Sequence, residues 1–254
     1  MSNDLFSVKD KVVLITGAAG GIGAAIATAF AESGARLVLA DCNPEGLESL
    51  AKSLPANAKS HSVQLRVEQR DQCVAAVDAA VEHFGHIDVL LNGAGVNTRM
   101  RPELYDQETW DRIININLGG TFNMCQAVFP HMKDRGGKIV NVGSILSLVS
   151  NEVTAPYSAS KGGVVQLTKS LACAWAEHGI NVNVILPGWI DTPLSRQARK
   201  DIPGHAERVV ATTPMKRWGL PEDLVGSAFF LAAAASDFIT GASILVDGGV
   251  TAHV

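Results

Sequence analysis

No run of 18 apolar residues occurs in the 254-residue chain, which argues against a membrane-spanning helix. There is no basic excess: Lys and Arg number 21 against 25 Asp and Glu, a formal net charge of −4, which argues against a nucleic-acid partner. Cysteine is scarce. Cys42, Cys73, Cys125 and Cys173 lie too far apart for a zinc site or a disulfide framework. Reduced, buried thiols are the expectation, and with them a cytoplasmic setting. The opening MSNDLFSVKDK lacks the basic-then-apolar layout of a signal peptide. No repeat of 20–50 residues and no low-complexity run is visible.

What is present is ordinary globular composition, 47% hydrophobic and 18% charged. A folded chain of this length hides roughly three quarters of its unfolded surface, enough for a core without staples. Short Val-, Ile- and Leu-rich runs alternate with longer amphipathic ones. The runs that read as strands are Val12–Thr16, Arg36–Ala40, His61–Leu65, Ile87–Asn92, Lys138–Val142, Asn181–Leu186 and Ser243–Val246. They lack strict alternation, as strands covered on both faces do. Ile22–Ser33, Gln69–Phe84 and Tyr157–Glu177 read as helices, with Gly34, Gly85 and Gly179 placed to end them. This pattern predicts one α/β domain over residues 1–254: a doubly wound, Rossmann-type parallel sheet of seven strands with helices on both faces. Ligands of such sheets bind beyond the carboxyl ends of the strands. The segment from about 191 to 214 shows no clear period and reads as a linker or as a lid over the site; the lid is favoured because the final strand still follows it.

Val12–Thr16 runs into Gly17-Ala18-Ala19-Gly20-Gly21-Ile22-Gly23 and then an Ala-rich helix. Glycines here let backbone approach a pyrophosphate, and the helix N-terminus supplies free N–H groups and a positive dipole end. Asp41, 18 residues past Gly23, reads either as the acid that accepts hydrogen bonds from adenosine ribose hydroxyls or as a solvated turn residue before Pro44. A carboxylate there repels the 2′-phosphate of NADP, so NAD is the expected cofactor. In Tyr157-Ser158-Ala159-Ser160-Lys161, positions i and i+4 share a helix face, so the phenol and the ammonium can project into one site. The cation then pulls the phenol pKa toward neutrality and fits it for proton exchange with an alcohol or carbonyl oxygen.

With these motifs the sequence resembles the short-chain dehydrogenase/reductase family from about Lys9 to Gly249. The resemblance rests on TGAAGGIG (Thr16–Gly23), NGAG (Asn92–Gly95), INLGG around Asn117, Ser144 after IVNVG, YSASK (Tyr157–Lys161) and PGWIDT (Pro187–Thr192), all in the family's order. It implies Tyr157 as general acid/base, and Lys161 as the group that lowers its pKa and binds the nicotinamide ribose. It implies Ser144 as the residue holding the substrate oxygen and Asn117 as the anchor of a proton-relay water. Without that company Asn117 reads as a residue that kinks a helix, and Ser144 as a polar strand end. Gly17, Gly21, Ile22, Gly23, Asp41, Val67, Asn92, Ala94, Gly95, Tyr157, Lys161, Pro187, Gly188, Ile190 and Thr192 are implied cofactor contacts. No metal is implied, because the cofactor takes the hydride and tyrosine handles the proton. The chain departs from the family at Arg66-Val67, where an Asp-Val pair is usual, at Gly93, and at Ser147, where glycine is common.

Family membership does not set the substrate. Ser144, Leu146, Asn151, Tyr157 and Trp189 are expected to wall its pocket, with lid residues between Leu194 and Met215. Arg99 and Arg101 read as a solvated loop or as cations for a carboxylate. The stretches Ser144–Ser147 and Thr213–Gly219 look most like sugar-acid members, such as gluconate 5-dehydrogenases and 2-deoxy-gluconate-type dehydrogenases. The leading expectation is NAD-dependent interconversion of a secondary alcohol and a ketone on a polyol, sugar or sugar acid. The alternatives are 3-oxoacyl-(acyl-carrier-protein) reduction and a non-catalytic dinucleotide sensor. A homotetramer is expected by resemblance, although Phe229, Phe230 and Leu231 read equally as core.

Overall fold

A computed structural model describes residues 5–201 and 204–253. Seven strands form a single sheet: β1 (Val12–Thr16), β2 (Arg36–Asp41), β3 (Lys59–Gln64), β4 (Val89–Asn92), β5 (Gly137–Val142), β6 (Ile180–Pro187) and β7 (Ser243–Val246). Their order is β3-β2-β1-β4-β5-β6-β7, and every pairing is parallel. The order reverses between β1 and β4, where Thr16 sits level with Asn92, so the crevice of a doubly wound sheet opens at these carboxyl ends.

The inner strands are apolar on both faces because helices cover both. On one face Val13, Ile15, Leu37 and Leu39 pack with Ile26 and Phe30 of α1 (Gly21–Glu32) and Leu231 of α9 (Val225–Ala232). Phe229 and Phe230 pack partly buried against that layer, so this apolar run is core. On the other face Leu14, Val38, Leu90 and Ile139 pack with Val77 of α3 (Arg70–Phe84), Met124 of α5 (Gly120–Met132) and Leu171 of α6 (Ala155–Trp175). The sequence dictates the helix ends as well. α2 (Pro44–Ser53) begins with proline, and the Asn43 side chain accepts the Gly46 N–H; α3 stops at Gly85 in the left-handed region, φ 84°.

Segment 191–214 shows no clear period in the sequence, yet most of it is helical. It contains α7 (Pro193–Asp201) and α8 (His205–Thr212), separated by Gly204 at φ 71°; residues 202 and 203 lie outside the described residues. Helices of nine and eight residues are too short to show a clear period. β7 follows in the same sheet, so the segment does not join two domains. The expectation of buried thiols needs correction: Cys73 and Cys125 are core, but Cys42 stands exposed just past β2 and Cys173 on the outer side of α6. All four are free. Among the described residues no helix is long and apolar enough to cross a membrane.

Candidate active site

The floor of the crevice is built from backbone. Gly17, at φ 67°, lies so close to the turn after β4 that a methyl group on it would stand 2.7 Å from the Ala94 nitrogen. A methyl group on Gly23 would collide with the Gly17 carbonyl oxygen. The two turns are tied together by the Gly93 and Ala94 N–H groups, which donate to Thr16 Oγ1 at 3.2 and 3.4 Å. α1 opens at Gly21 behind Gly20, which has no side chain to cap it, leaving first-turn N–H groups free for an anion. The Asp41 carboxylate accepts the Ala19 N–H and the Asn43 N–H, each at 3.0 Å. It therefore joins the end of β2 to the glycine turn.

The predicted cofactor residues divide. Ile22, Gly95, Pro187, Gly188, Ile190 and Thr192 border the cleft, and Gly21 lies against the Thr192 side chain. Asn92 does not face it. Its amide is buried inside the sheet, donating to Asn141 Oδ1 at 2.9 Å and Cys125 Sγ at 3.4 Å. Val67 is likewise buried, packed against Gly120. Ala94 packs against the core layer behind the turn.

Asn117 lies in a π-helical turn, Asn115–Gly119, between α4 (Gln107–Ile114) and α5. The kink and the site belong together here. The wide turn aims the side chain inward, where Oδ1 accepts the Val96 N–H at 2.8 Å and Nδ2 donates to Val96 O and Ser160 Oγ at 3.0 Å. Gly95 covers both this amide and Lys161 Nζ; a methyl group there would meet them at 3.3 and 3.4 Å. Lys161 is buried on α6, one turn beyond Tyr157, and its Nζ donates to the Val142 carbonyl at 2.7 Å. Ser144 follows β5, and its Oγ accepts the Leu146 N–H at 3.1 Å. Ser147, where the family commonly has glycine, accepts the Ser144 N–H at 3.3 Å and donates to the Lys161 carbonyl at 2.8 Å. It thereby couples the serine turn to the helix that carries the tyrosine and the lysine.

The electrostatics differ from expectation. Burial pushes the Tyr157 phenol above its ordinary range, opposed by a hydrogen bond with Ser144 and the charge of Arg99. Burial also lowers the Lys161 ammonium to about 8. The expected pull of Lys161 on the phenol is not seen. Its Nζ lies 5.9 Å from the tyrosine ring centre, turned to the Val142 carbonyl, and removal from water dominates both groups.

Above this floor lies a cleft of about 630 Å³. Ser144, Leu146, Asn151, Tyr157 and Trp189 all border it. Asn151 is partly engaged, its Oδ1 accepting from Val153 N and Thr154 Oγ1. Arg99 lines the cleft, whereas Arg101 does not and pairs with Glu103 at 3.5 Å. Glu152, inside the expected wall from Asn151 to Val153, also lines it, and so do two residues that sequence reasoning did not single out, His205 and Arg208. The last two lay inside the lid range, and no spacing marked them. The roof is held by side chains. The Trp189, His205 and Trp218 rings meet edge-on with centroids 5.2–6.2 Å apart, and the Arg199 guanidinium lies 4.0 Å over Trp218. Asp191 accepts from Arg196 at 2.9 Å and Arg199 at 2.5 Å, and these bonds hold its carboxyl below the usual range. Among the described residues no cluster of three or more His, Cys, Asp or Glu could hold a metal.

Comparison with known proteins fits this geometry. A family model described as enoyl-(acyl carrier protein) reductase matches residues 17–251. D-threitol dehydrogenase of Mycolicibacterium smegmatis is 41% identical over 97% of this chain and 95% of its own. The chain belongs to the short-chain dehydrogenase/reductase family. This short-chain dehydrogenase/reductase is also 40% identical to a 3-oxoacyl-[acyl-carrier-protein] reductase of Thermotoga maritima, over 96% of this chain and 98% of that one. A gluconate 5-dehydrogenase from Burkholderia cenocepacia J2315, solved in complex with NADP and tartrate, superposes with a TM-score of 0.92. It is 37% identical and covers 99% of each chain. The protein is thus an oxidoreductase of CH–OH groups, built as a single Rossmann-like sheet.

Proposed function

We propose that the protein is an NAD(H)-dependent enzyme that interconverts a secondary alcohol and a ketone on a polyol or sugar acid, with Tyr157 as its general acid/base. The observation that carries this is the hydroxyl pair of Ser144 and Tyr157 on the cleft floor, with Lys161 one helical turn away. The glycine cradle and the uncapped start of α1 suit a dinucleotide pyrophosphate, and a nicotinamide bound beyond them would supply or accept the hydride. Asp41 still offers a lone pair on each oxygen for ribose hydroxyls, and its charge repels a 2′-phosphate. Held above its usual range, the Tyr157 phenol keeps its proton at neutral pH and is set to donate it to a ketone oxygen. Ser144 would donate a second hydrogen bond to the same oxygen. Oxidation needs the phenolate, so it gains as pH rises.

The Thermotoga relative supports a second reading, reduction of a 3-oxoacyl thioester, and the NADP of the Burkholderia structure stands against the choice of NAD. Four free cysteines support a reducing, cytoplasmic setting. Phe238, in the segment before β7, and Leu245, on β7 itself, are both exposed and support a homotetramer.

The test is a panel of polyols and sugar acids with NAD and of a 3-oxoacyl thioester with NADH, each repeated with NADP or NADPH. Turnover of a polyol or sugar acid with NAD is the expected result. Turnover of the thioester alone overturns it, and cofactor binding without any turnover favours a sensor. Asp41→Ser should raise the NADP-to-NAD ratio of kcat/KM by roughly tenfold or more; an unchanged ratio removes Asp41 from cofactor choice.

A further inference from the structure

Four arginines of the roof and its flanking loop differ in what they bind. Arg196 and Arg199 pair with Asp191, and Arg217 pairs with Asp223. Arg208, on α8, has a histidine ring in place of a carboxylate: its guanidinium nitrogen lies 3.2 Å from His205 Nδ1. A guanidinium has no acceptor, so Nδ1 must accept, which places the ring proton on Nε2. His205 is only 5% exposed and is boxed by the two indoles, and its Nε2 has no hydrogen-bond partner among the described residues. Burial, then the charges of Arg208, Arg99 and Arg199, hold its pKa below the usual range, so the ring stays neutral at pH 7. A fixed neutral ring thus occupies one N–H of Arg208 and leaves the others without a partner among the described residues.

Arg208 also lines the cleft, which Arg196, Arg199 and Arg217 do not. Among the described residues the charged ones lining the cleft are Arg99, Lys161, Arg208 and Glu152, an excess of cations that suits an anion. Lys161 belongs to the floor, with the reacting hydroxyls; Arg208 belongs to the roof.

We infer that Arg208, oriented by His205, is the carboxylate-binding group of this cleft and selects a sugar acid over the matching neutral polyol. This rests on the reading of the cleft as a site for hydroxylated substrates. The planar fork suits a carboxylate in a way that a lone ammonium does not. His205 is a positioning residue for Arg208 through its Nδ1.

The experiment measures binding apart from turnover. Gluconate and sorbitol are titrated calorimetrically into the full-length protein with saturating NADH. The wild type should prefer gluconate. Arg208→Gln should reduce the gluconate-over-sorbitol preference by roughly tenfold or more, and Arg208→Lys should retain part of it. Arg101→Gln, which removes a nearby cation that does not line the cleft, should leave the preference intact. A wild type that binds gluconate no more tightly than sorbitol overturns the inference. So does an Arg208→Gln variant that weakens both equally, since that is loss of structure rather than of recognition. Arg208-dependent gluconate binding without oxidation of any sugar acid or polyol would uphold this inference and overturn the proposed reaction alone.

Discussion

The floor and the roof of the cleft are made of different materials. The floor is backbone: Gly17 against the β4 turn, Gly23 against Gly17, α1 opening without a capping side chain, and a π-turn that aims Asn117. Its tolerances are tenths of an ångström, because a Cβ at either glycine has no room. The roof is side chain: an edge-on box of Trp189, His205 and Trp218, one arginine stacked on it and one aspartate holding two arginines. On the function proposed above, the difference puts the chemistry in the part that cannot shift and substrate choice in the part that can be rebuilt one side chain at a time.

That contrast can be broken at either end. Tyr157→Phe should cut turnover about 10²–10⁴-fold while NADH fluorescence still titrates normally; retained turnover would take the acid/base away from the floor. Gly23→Ala should lower Tm by roughly 3–10 °C and nucleotide affinity with it, since overpacking here presses on a carbonyl. A variant as stable as wild type would mean that the floor yields.

Lys161 gives a pH signature. Its pKa falls from 10.5 to about 8 on folding, so the unfolded chain binds more protons between those values and stability rises with pH across that window. Below about pH 8 the folded protein carries the full cost of a buried ammonium, on the order of 3 kcal/mol. Lys161→Met removes that cost and leaves the Val142 carbonyl without its donor, a loss that pH does not alter. The Tm of the variant relative to wild type should therefore drop between pH 7 and pH 9.5 in thermal melts; a pH-independent difference would show that the lysine is not desolvated. The smallest effect belongs to the roof. Asp191→Asn should raise KM by about threefold and move Tm by about 2 °C or less, as partly exposed ion pairs do. A collapse in kcat would place the roof in the chemistry.

The same contrast explains what could be read without coordinates. The inner strands, covered on both faces, show as apolar runs, whereas the edge strand β3, Lys-Ser-His-Ser-Val-Gln, is mostly polar and only overlaps the run expected at His61–Leu65. Gly17 and Gly23 were visible because only glycine can serve there, and Tyr157 and Lys161 because helical geometry puts i and i+4 on one face. Side-chain direction at a strand end was not visible: Asn92 turns inward because an amide level with Asn141 finds its partner within the sheet. Ser147 showed only as a departure, since its two hydrogen bonds join segments 14 residues apart at the carbonyl of Lys161. α7 and α8 escaped because short helices without a continuous apolar stripe have no period to detect. Two of the four thiols lie on the surface because nothing about a cysteine's neighbours in sequence says which side of a helix or loop faces water.

The indole box has an optical consequence. Of the four tryptophans, Trp189 and Trp218 flank His205 in the roof, whereas Trp110 lies on α4 and Trp175 stacks on Phe129 away from the cleft. Two of the four tryptophans therefore sit in the roof, one of them, Trp189, lining the cleft itself. With Trp110 and Trp175 replaced by phenylalanine, the remaining light would report movement of the roof in real time, with no label attached.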